Sequence, residues 1–271
     1  MKKQNISLKQ VKEFQQYHLT KKQKDALQRS RDFYYQACEA NSDAESLRFL
    51  EKAIDCEVIS ADAILMQSEL CDEDDEERLW HSLIAMKAGL LEIGEDFDSY
   101  VGHFWGCHET RPFMRALETH ARVLRDLTAY ARAIVDFTLM LKLNPNDNQG
   151  VRYELLPLLI VESEIGEAKK ILKNYPEDSG VVWTSLKLLI AYTDENASDL
   201  IAQISTDPKL AHVHTMLKLL TGKKKFIPHE QATYRAWSDE EARVYYPVVR
   251  LAWEATPGAI EWLKKMMSKT K

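Results

Sequence analysis

Glycine and long apolar runs are both scarce in this sequence. Nine glycines in 271 residues are few for a protein with many tight turns, so a helical fold is favoured. The longest apolar run, LLPLLIV at residues 155–161, is broken by a proline and is far shorter than the ~20 residues that a membrane-spanning helix needs. The basic start MKKQNISLKQVKEF lacks the apolar segment of a signal peptide. We therefore expect a cytoplasmic protein with no segment in a membrane.

Paired cysteines and short catalytic motifs are also lacking. Cys38, Cys56, Cys71 and Cys107 are scattered, which is typical of reduced thiols and not of a disulfide framework or a thiolate zinc site. The sequence contains no glycine-rich phosphate loop, nucleophile elbow, kinase signature or paired metal motif. The net charge of -6 gives the molecule no general attraction to nucleic acid or to an anionic membrane. We expect no cofactor and no enzymatic activity.

Four prolines in the second half of the chain are regularly spaced. Pro112, Pro145, Pro176 and Pro208 follow one another at intervals of 33, 31 and 32 residues. Each is expected at an equivalent place, after the end of one apolar-periodic helical segment and before the start of another, where the missing N–H of proline is tolerated. A period of this length predicts a repeat unit of two helices.

The clearest unit spans residues 114–147. Its second half, AIVDFTLMLKLNPND, has apolar residues at three- and four-residue spacing, which predicts an amphipathic helix. Thr128, in the preceding turn RDLT, is the predicted N-cap of that helix. In the next unit Pro157 falls inside a helical segment, so we expect a kink or a local break there. Near the chain end, Thr256 is predicted to cap the last helix.

The pattern is looser ahead of residue 101. Segments 43–57, 61–70 and 74–93 nevertheless predict helices by their apolar periodicity. The acidic run DEDDEE at 72–77 lacks the ligand spacing and the glycine of a calcium loop. We interpret it as a helix N-terminus, where the helix dipole favours carboxylates. A surface for a basic partner is the alternative.

The unit at 114–147 resembles a tetratricopeptide repeat. The resemblance is specific at Ala133, Phe137, Leu141, Leu143 and Pro145, whereas the first helix lacks the family's glycine near the turn. Across residues 52–263, the segments GHFWG, ETRPFMRA, LNPNDNQGVRY, LLPLL and WEATPGAIEWL look like a bacterial group of tetratricopeptide-like proteins of unassigned function. That group is distantly similar to the animal suppression-of-tumorigenicity seven family. The resemblance implies an all-α, right-handed superhelix (solenoid) of antiparallel helix pairs, and it carries over no catalytic residue.

We therefore predict a single helical-repeat domain over residues 1–271. Its predicted parts are a basic N-terminal helical arm at 1–31, irregular repeats at 32–111, regular repeats at 112–208 and C-terminal capping helices at 209–271. The arm holds nine Lys or Arg against two Asp or Glu. It has no recognisable helix-turn-helix motif for binding DNA, so we interpret its lysines as the solvated face of a capping helix. A nucleic-acid-associated regulator acting through this arm is an alternative.

The segment HFWGCHETRP, just before the best repeat, has two interpretations. His103, Cys107, His108 and Glu109 together suggest a metal-dependent or thiol enzyme, although no His pair has helical i, i+4 spacing. The simpler interpretation is a joint between units. In it, Phe104 and Trp105 pack into the core and Thr110 starts the next helix. We prefer the joint.

The expected function is protein–protein interaction in the concave groove of the solenoid, because first-helix residues of tetratricopeptide repeats line such a groove. Arg115, Arg122, Asn148 and Arg152 are the predicted partner-binding residues. Arg115 and Arg122 share one helix face through their seven-residue spacing. Such a groove is basic and suits a carboxylate or an acidic peptide.

Overall fold

Helices form all the regular structure in the part of the chain that the computed structural model describes, namely residues 18–71, 74–207, 210–230 and 233–269. No strand occurs in those ranges, and the all-α prediction is thereby confirmed. Backbone contacts divide the chain into two compact units, unit 1 ending at Val151 and unit 2 beginning at Arg152. Within the described ranges, none of the helices has the length and apolar character required to cross a membrane.

Unit 1 contains seven described α-helices. They are α1 (Lys21–Cys38), α2 (Asp43–Ile54), α3 (Ala61–Leu70), α4 (Asp75–Ile93), α5 (Phe97–Tyr100), α6 (Arg111–Asp126) and α7 (Tyr130–Leu143). Neighbours in sequence pack together, as α1 does with α2 and α6 with α7, and α4 also packs along α6. Phe97, Phe104 and Phe113 meet edge to face near the α4–α6 contact, with ring centroids 4.8–6.2 Å apart.

Local sequence patterns predicted the bounds of several of these helices correctly. The predicted helix at 61–70 coincides with α3, and the one at 74–93 with α4 and its N-cap. Asp74 accepts hydrogen bonds from the backbone N–H groups of Glu76 and Glu77, at 2.9 and 3.0 Å. The acidic run therefore begins a helix as predicted, although its residues 72–73 lie outside the described ranges. The helix predicted at 43–57 ends earlier, at Ile54.

Unit 2 also contains seven described α-helices. They are α8 (Arg152–Val161), α9 (Ile165–Asn174), α10 (Val181–Thr193), α11 (Ala197–Thr206), α12 (Val213–Leu220), α13 (Asp239–Ala255) and α14 (Ala259–Lys269). Consecutive helices pack together, but α13 also packs against α8 and α10. The contact between α8 and α13 joins distant parts of the sequence. Stacking of nearest-neighbour repeats alone does not predict such a contact.

Two predictions of helix caps were wrong. Thr128 does not cap α7, because its backbone is left-handed (φ 57°) and the helix begins after Ala129. Thr256 does not cap α14; its hydroxyl instead donates to the carbonyl of Ala252 at 2.8 Å, at the end of α13. The helix around Pro157 continues from Arg152 to Val161, so the alternative of a local break does not hold, whereas the kink stays a prediction.

The regularly spaced prolines do not occupy equivalent places. Pro112 lies in the first turn of α6, where its missing N–H is tolerated. Pro145 and Pro176 instead lie two residues after the last residues of α7 and α9. Pro208 lies outside the described residues. The spacing therefore combines one helix start with two helix ends.

Helices α4 and α6 approach each other closely at Gly89. A Cβ atom added to Gly89 would lie 2.7 Å from the Cα atom of Phe113, closer than real Cβ contacts come. The obstacle is backbone, which does not rotate aside as a side chain does. Gly89 is therefore required by helix packing and not by a turn.

We expect Gly89→Ala to lower the free energy of unfolding by about 1–3 kcal/mol, because α4 and α6 must move apart. Gly166→Ala is the matched control, since Gly166 also lies in a helix and an added Cβ atom there meets nothing within 4 Å. The control is expected to be neutral or to stabilise by up to about 1 kcal/mol. Urea unfolding measures both variants, and equal effects at the two sites would contradict the packing argument.

A buried polar pair joins α6 to α7. His120 Nδ1 lies 2.7 Å from Asp136 Oδ2, and both side chains are 1% exposed. The other carboxylate oxygen of Asp136 has no hydrogen-bond partner among the described residues. The pair is therefore an internal contact whose two members depend on each other.

Removal of one member should destabilise the protein strongly. Asp136→Leu leaves His120 buried without its partner, and we expect a loss of about 3–5 kcal/mol in the free energy of unfolding. The double variant His120→Leu/Asp136→Leu should lose much less than the two single variants combined. A double-mutant cycle by denaturant unfolding measures this coupling, and strict additivity would show that the two side chains do not interact.

Candidate functional site

The segment from Gly102 to Thr110 is held as a joint between α5 and α6. The backbone N–H groups of Gly102 and Phe104 both donate to the carbonyl of Leu143 at the end of α7, at 2.9 and 3.2 Å. Gly102 has φ 95°, which favours glycine. Phe104 is buried as predicted, whereas Trp105 is only partly buried. Thr110 is the N-cap residue of α6, so it starts the helix as predicted, but its hydroxyl donates to the carbonyls of Phe104 and Cys107 and accepts no hydrogen bond from the helix backbone.

The four residues considered for a metal or thiol site lie along this joint. His103, His108 and Glu109 are exposed, and Cys107 is partly buried. Over the described ranges, no three or more His, Cys, Asp or Glu side chains are arranged to hold a metal ion. The structure therefore does not bring these four residues together into a metal-binding group.

We expect the purified protein to bind no stoichiometric zinc through this segment. Isothermal titration with Zn²⁺ should give the same weak heats for the unaltered chain and for the His103→Ala/Cys107→Ser variant, because a zinc site needs three or four converging ligands. A one-to-one zinc complex that this double variant abolishes would establish the metal interpretation instead.

A polar cavity of about 460 Å³ lies in unit 1, beside the start of α6. Three arginines line it, Arg31 from α1 and Arg111 and Arg115 from α6. Tyr34 and Tyr35 contribute aromatic surface, and Tyr35 is 58% exposed. The cavity is the place in unit 1 where guanidinium groups from two helices converge.

Arg31 is held by a buried glutamate. Its Nη2 atom lies 2.6 Å from Oε2 of Glu92, whose side chain is fully buried. Glu92 also accepts a hydrogen bond from the backbone N–H of Ala61 at 2.8 Å. Burial raises the pKa of Glu92, and the charge of Arg31 opposes that increase. Among the described residues, Arg31 uses one terminal nitrogen in this ion pair and its other guanidinium nitrogens make no hydrogen bond.

Arg115 is held by a bidentate ion pair with Asp62 of α3. The Nε–Oδ1 distance is 2.7 Å and the Nη2–Oδ2 distance is 2.6 Å. This fork-to-fork geometry fixes the plane of the guanidinium group. Burial raises the pKa of the neighbouring Tyr34 phenol, and the charge of Asp62 adds to the effect. Arg115 is thus oriented by the protein before any ligand arrives.

Arg111 differs from the other two arginines in having no carboxylate partner within the described ranges. Its Nε atom donates to the carbonyl of Trp105 at 2.9 Å, and its guanidinium carbon lies 5.6 Å from the centre of the Trp105 ring. Both contacts leave the terminal nitrogens without hydrogen-bond partners among those residues. Arg111 therefore brings to the cavity a guanidinium group that has no ion pair among the described residues, while the carboxylate of Glu109 also lines the cavity.

The predicted partner-binding residues are found in different surroundings. Arg115 lines the cavity of unit 1. Arg122, about two turns further along α6, pairs with Glu118 at 2.8 Å and does not line the cavity. Asn148 is exposed in the segment after α7. Arg152 begins α8 in unit 2, where it pairs with Asp178 at 2.9 Å.

Sequence reasoning missed Arg31 and Arg111 as neighbours of Arg115. The sequence pattern places Arg31 in the basic N-terminal arm and Arg111 in the joint. A partial signal was present, since Arg111 and Arg115 are four residues apart at a helix start and so share a face. No local sequence pattern indicates that α1 contributes Arg31 to this cavity, because that contribution depends on packing between distant segments.

The chain has no match among protein-family models, curated proteins or solved structures. The all-helical fold is compatible with the resemblance to helical-repeat proteins, which no match tests.

Proposed function

We propose that the chain is a cytoplasmic, non-catalytic scaffold, a right-handed superhelix of antiparallel helix pairs, that binds an acidic protein or peptide segment. The observation that supports this most directly is the convergence of Arg31, Arg111 and Arg115 on one cavity of unit 1. The repeat-like sequence and the packing of consecutive helices support the scaffold. The four free cysteines agree with a reducing compartment.

The hydrogen-bonding pattern of the cavity favours a carboxylate as the recognised group. Guanidinium groups bind carboxylates through paired N–H donors. Arg31 and Arg115 are already oriented by Glu92 and Asp62, so a ligand does not have to order them on binding. Arg111 then offers its terminal N–H groups to the carboxylate, because the described residues give it no carboxylate partner.

The charge balance of the same cavity disfavours nucleic acid as the partner. Binding of a phosphate backbone depends on several uncompensated Lys or Arg residues in a row. Here two of the three arginines are paired, and Asp62 and Glu109 also line the cavity. One or two acidic side chains, or a chain-terminal carboxylate, suit this arrangement better than a polyanion does.

The tyrosines complement the charged groups. Tyr35 is a large exposed aromatic residue at the cavity, and such residues contribute contact area with little loss of side-chain freedom. An acidic residue flanked by apolar residues in the partner therefore fits both features. This combination describes a short peptide motif and not an isolated anion.

The test is binding to an array of acidic peptides with apolar flanks, followed by fluorescence anisotropy on the best peptide. We expect Arg111→Ala to weaken binding about tenfold or more, and Arg111→Lys to weaken it less, since charge is kept but the paired donors are lost. Rising salt should weaken binding to the unaltered chain.

Arg250→Ala is the matched control, since Arg250 is an exposed arginine of α13 paired with Glu254. It should leave the peptide affinity unchanged. The double variant Arg122→Ala/Arg152→Ala tests the groove that the sequence predicted. If that double variant abolishes binding while Arg111→Ala does not, the cavity is not the binding site.

A further inference from the structure

Unit 2 contains a second cavity, of about 480 Å³, that the proposed function does not use. Its walls come from α8, from the segment between α9 and α10, and from the residues around the start of α13. Four aromatic side chains line it, namely Tyr153, Tyr175, Tyr234 and Trp237. Aromatic walls with a few polar groups are typical of ligand-binding cavities.

Trp237 is the most exposed of these aromatic residues, at 63%. Its backbone is left-handed (φ 55°), a conformation that a bulky residue rarely adopts. Its backbone N–H donates to Oε2 of Glu241, and this contact helps to hold the unusual conformation. The indole ring is thus exposed at the cavity on a backbone that the protein constrains.

Glu241 also lines the cavity and is a buried carboxylate with no ion pair among the described residues. It is 3% exposed, and its Oε1 atom accepts the backbone N–H of Val181 at 3.1 Å. Burial raises its pKa, while the two backbone hydrogen bonds and the nearby His212 oppose that increase. Two hydrogen bonds stabilise the charge but do not neutralise it.

The cations near this carboxylate already contact other groups. Arg152 pairs with Asp178 at 2.9 Å. Nζ of Lys187 donates to the carbonyl of Asp178 at 3.0 Å, and Nε2 of His212 lies 3.0 Å from the carbonyl of Ser179. Neither Lys187 nor His212 lines the cavity. Its lining holds three carboxylates, those of Glu177, Asp178 and Glu241, against the single guanidinium of Arg152.

Arg152 demonstrates what these aromatic faces attract. Its guanidinium carbon lies 4.3 Å from the ring centre of Tyr153, 5.0 Å from that of Tyr175 and 5.8 Å from that of Trp183. These are cation–π distances. Trp237 and Tyr234 make no such contact with a cation of the described chain, and tryptophan is the strongest cation–π partner.

From the exposed indole of Trp237, the neighbouring tyrosines and the excess of carboxylates, we infer that this cavity binds an organic cation through an alkylammonium or guanidinium group. The cation lies against Trp237 and Tyr234 and is attracted by Glu241 and Glu177. A free amine and a basic side chain of a peptide present the same chemistry. The site is independent of the acidic-peptide site proposed for unit 1.

Isothermal titration of the full chain tests this with three probes. They are spermidine, N-acetyl-lysine methylamide and N-acetyl-norleucine methylamide. The first two are cations, and the third is neutral because its side chain is that of lysine without the ammonium group. We expect at least one cationic probe to bind, and the neutral probe to bind at least about tenfold more weakly. Binding of spermidine alone would indicate that the natural ligand is a free amine. Binding of the lysine derivative would indicate a basic side chain of a peptide.

Variants connect the binding to the cavity. Trp237→Ala should weaken the binding of the cationic probe about tenfold, and Trp237→Phe should retain part of the lost affinity. Glu177→Gln removes an exposed charge without disturbing the core and should weaken binding by about twofold to threefold. Trp80→Ala is the matched control, since Trp80 is 60% exposed in unit 1; it should change nothing. Circular dichroism checks that each variant folds.

Three results would overturn the inference: no binding of either cation at about 10 mM, equal binding of the neutral probe, or equal loss with Trp80→Ala and Trp237→Ala. Binding of the acidic peptide to Trp237→Ala is measured in parallel. It should be unchanged, because that site lies in unit 1. Failure of one proposal is thereby distinguished from failure of the other.

Discussion

The close packing of α4 against α6 at Gly89 is the constraint on which unit 1 depends. A side chain at this position would meet the backbone of Phe113, so the two helices can approach only because residue 89 is a glycine. Phe113 lies within the aromatic cluster with Phe97 and Phe104. The position of the joint before α6, and of α6 itself, therefore follows from one absent side chain.

The cavity of unit 1 is a consequence of that placement. Arg111 and Arg115 belong to the first turns of α6, and Arg31 reaches the same space from α1. Glu92, on the last turn of α4, holds Arg31, and Asp62 on α3 holds Arg115. The carboxylates of Glu92 and Asp62 therefore hold two arginines of the cavity in place, and these two ion pairs join α1 to α4 and α3 to α6. Their structural role and the proposed recognition of an acidic segment depend on the same contacts.

Unit 2 uses similar chemistry with the opposite balance of charge. The arginine of its cavity, Arg152, is paired with Asp178 and lies over the rings of Tyr153 and Tyr175, while Glu241 is buried without an ion pair among the described residues. The chain returns through α13 to pack on α8, and this contact brings Trp237 and Glu241 to the segment before α10. A ligand site in unit 2 therefore depends on tertiary contacts that a simple repeat does not contain.

The sequence by itself determined the features that depend on neighbours along the chain. The bounds of α3 and α4, the helix start at Asp74 and the buried Phe104 in the joint follow from apolar periodicity and local hydrogen bonds. Thr128 and Thr256 show the limit of such signals. The backbone of Thr128 is left-handed, and the hydroxyl of Thr256 donates to the preceding helix, so neither residue caps the helix that follows it. Only the tertiary structure decided that Arg115 meets Asp62, 53 residues away, and that Arg31 and Arg111 share its cavity. The physical reason is that these contacts depend on how distant helices pack, which no local pattern of residues encodes.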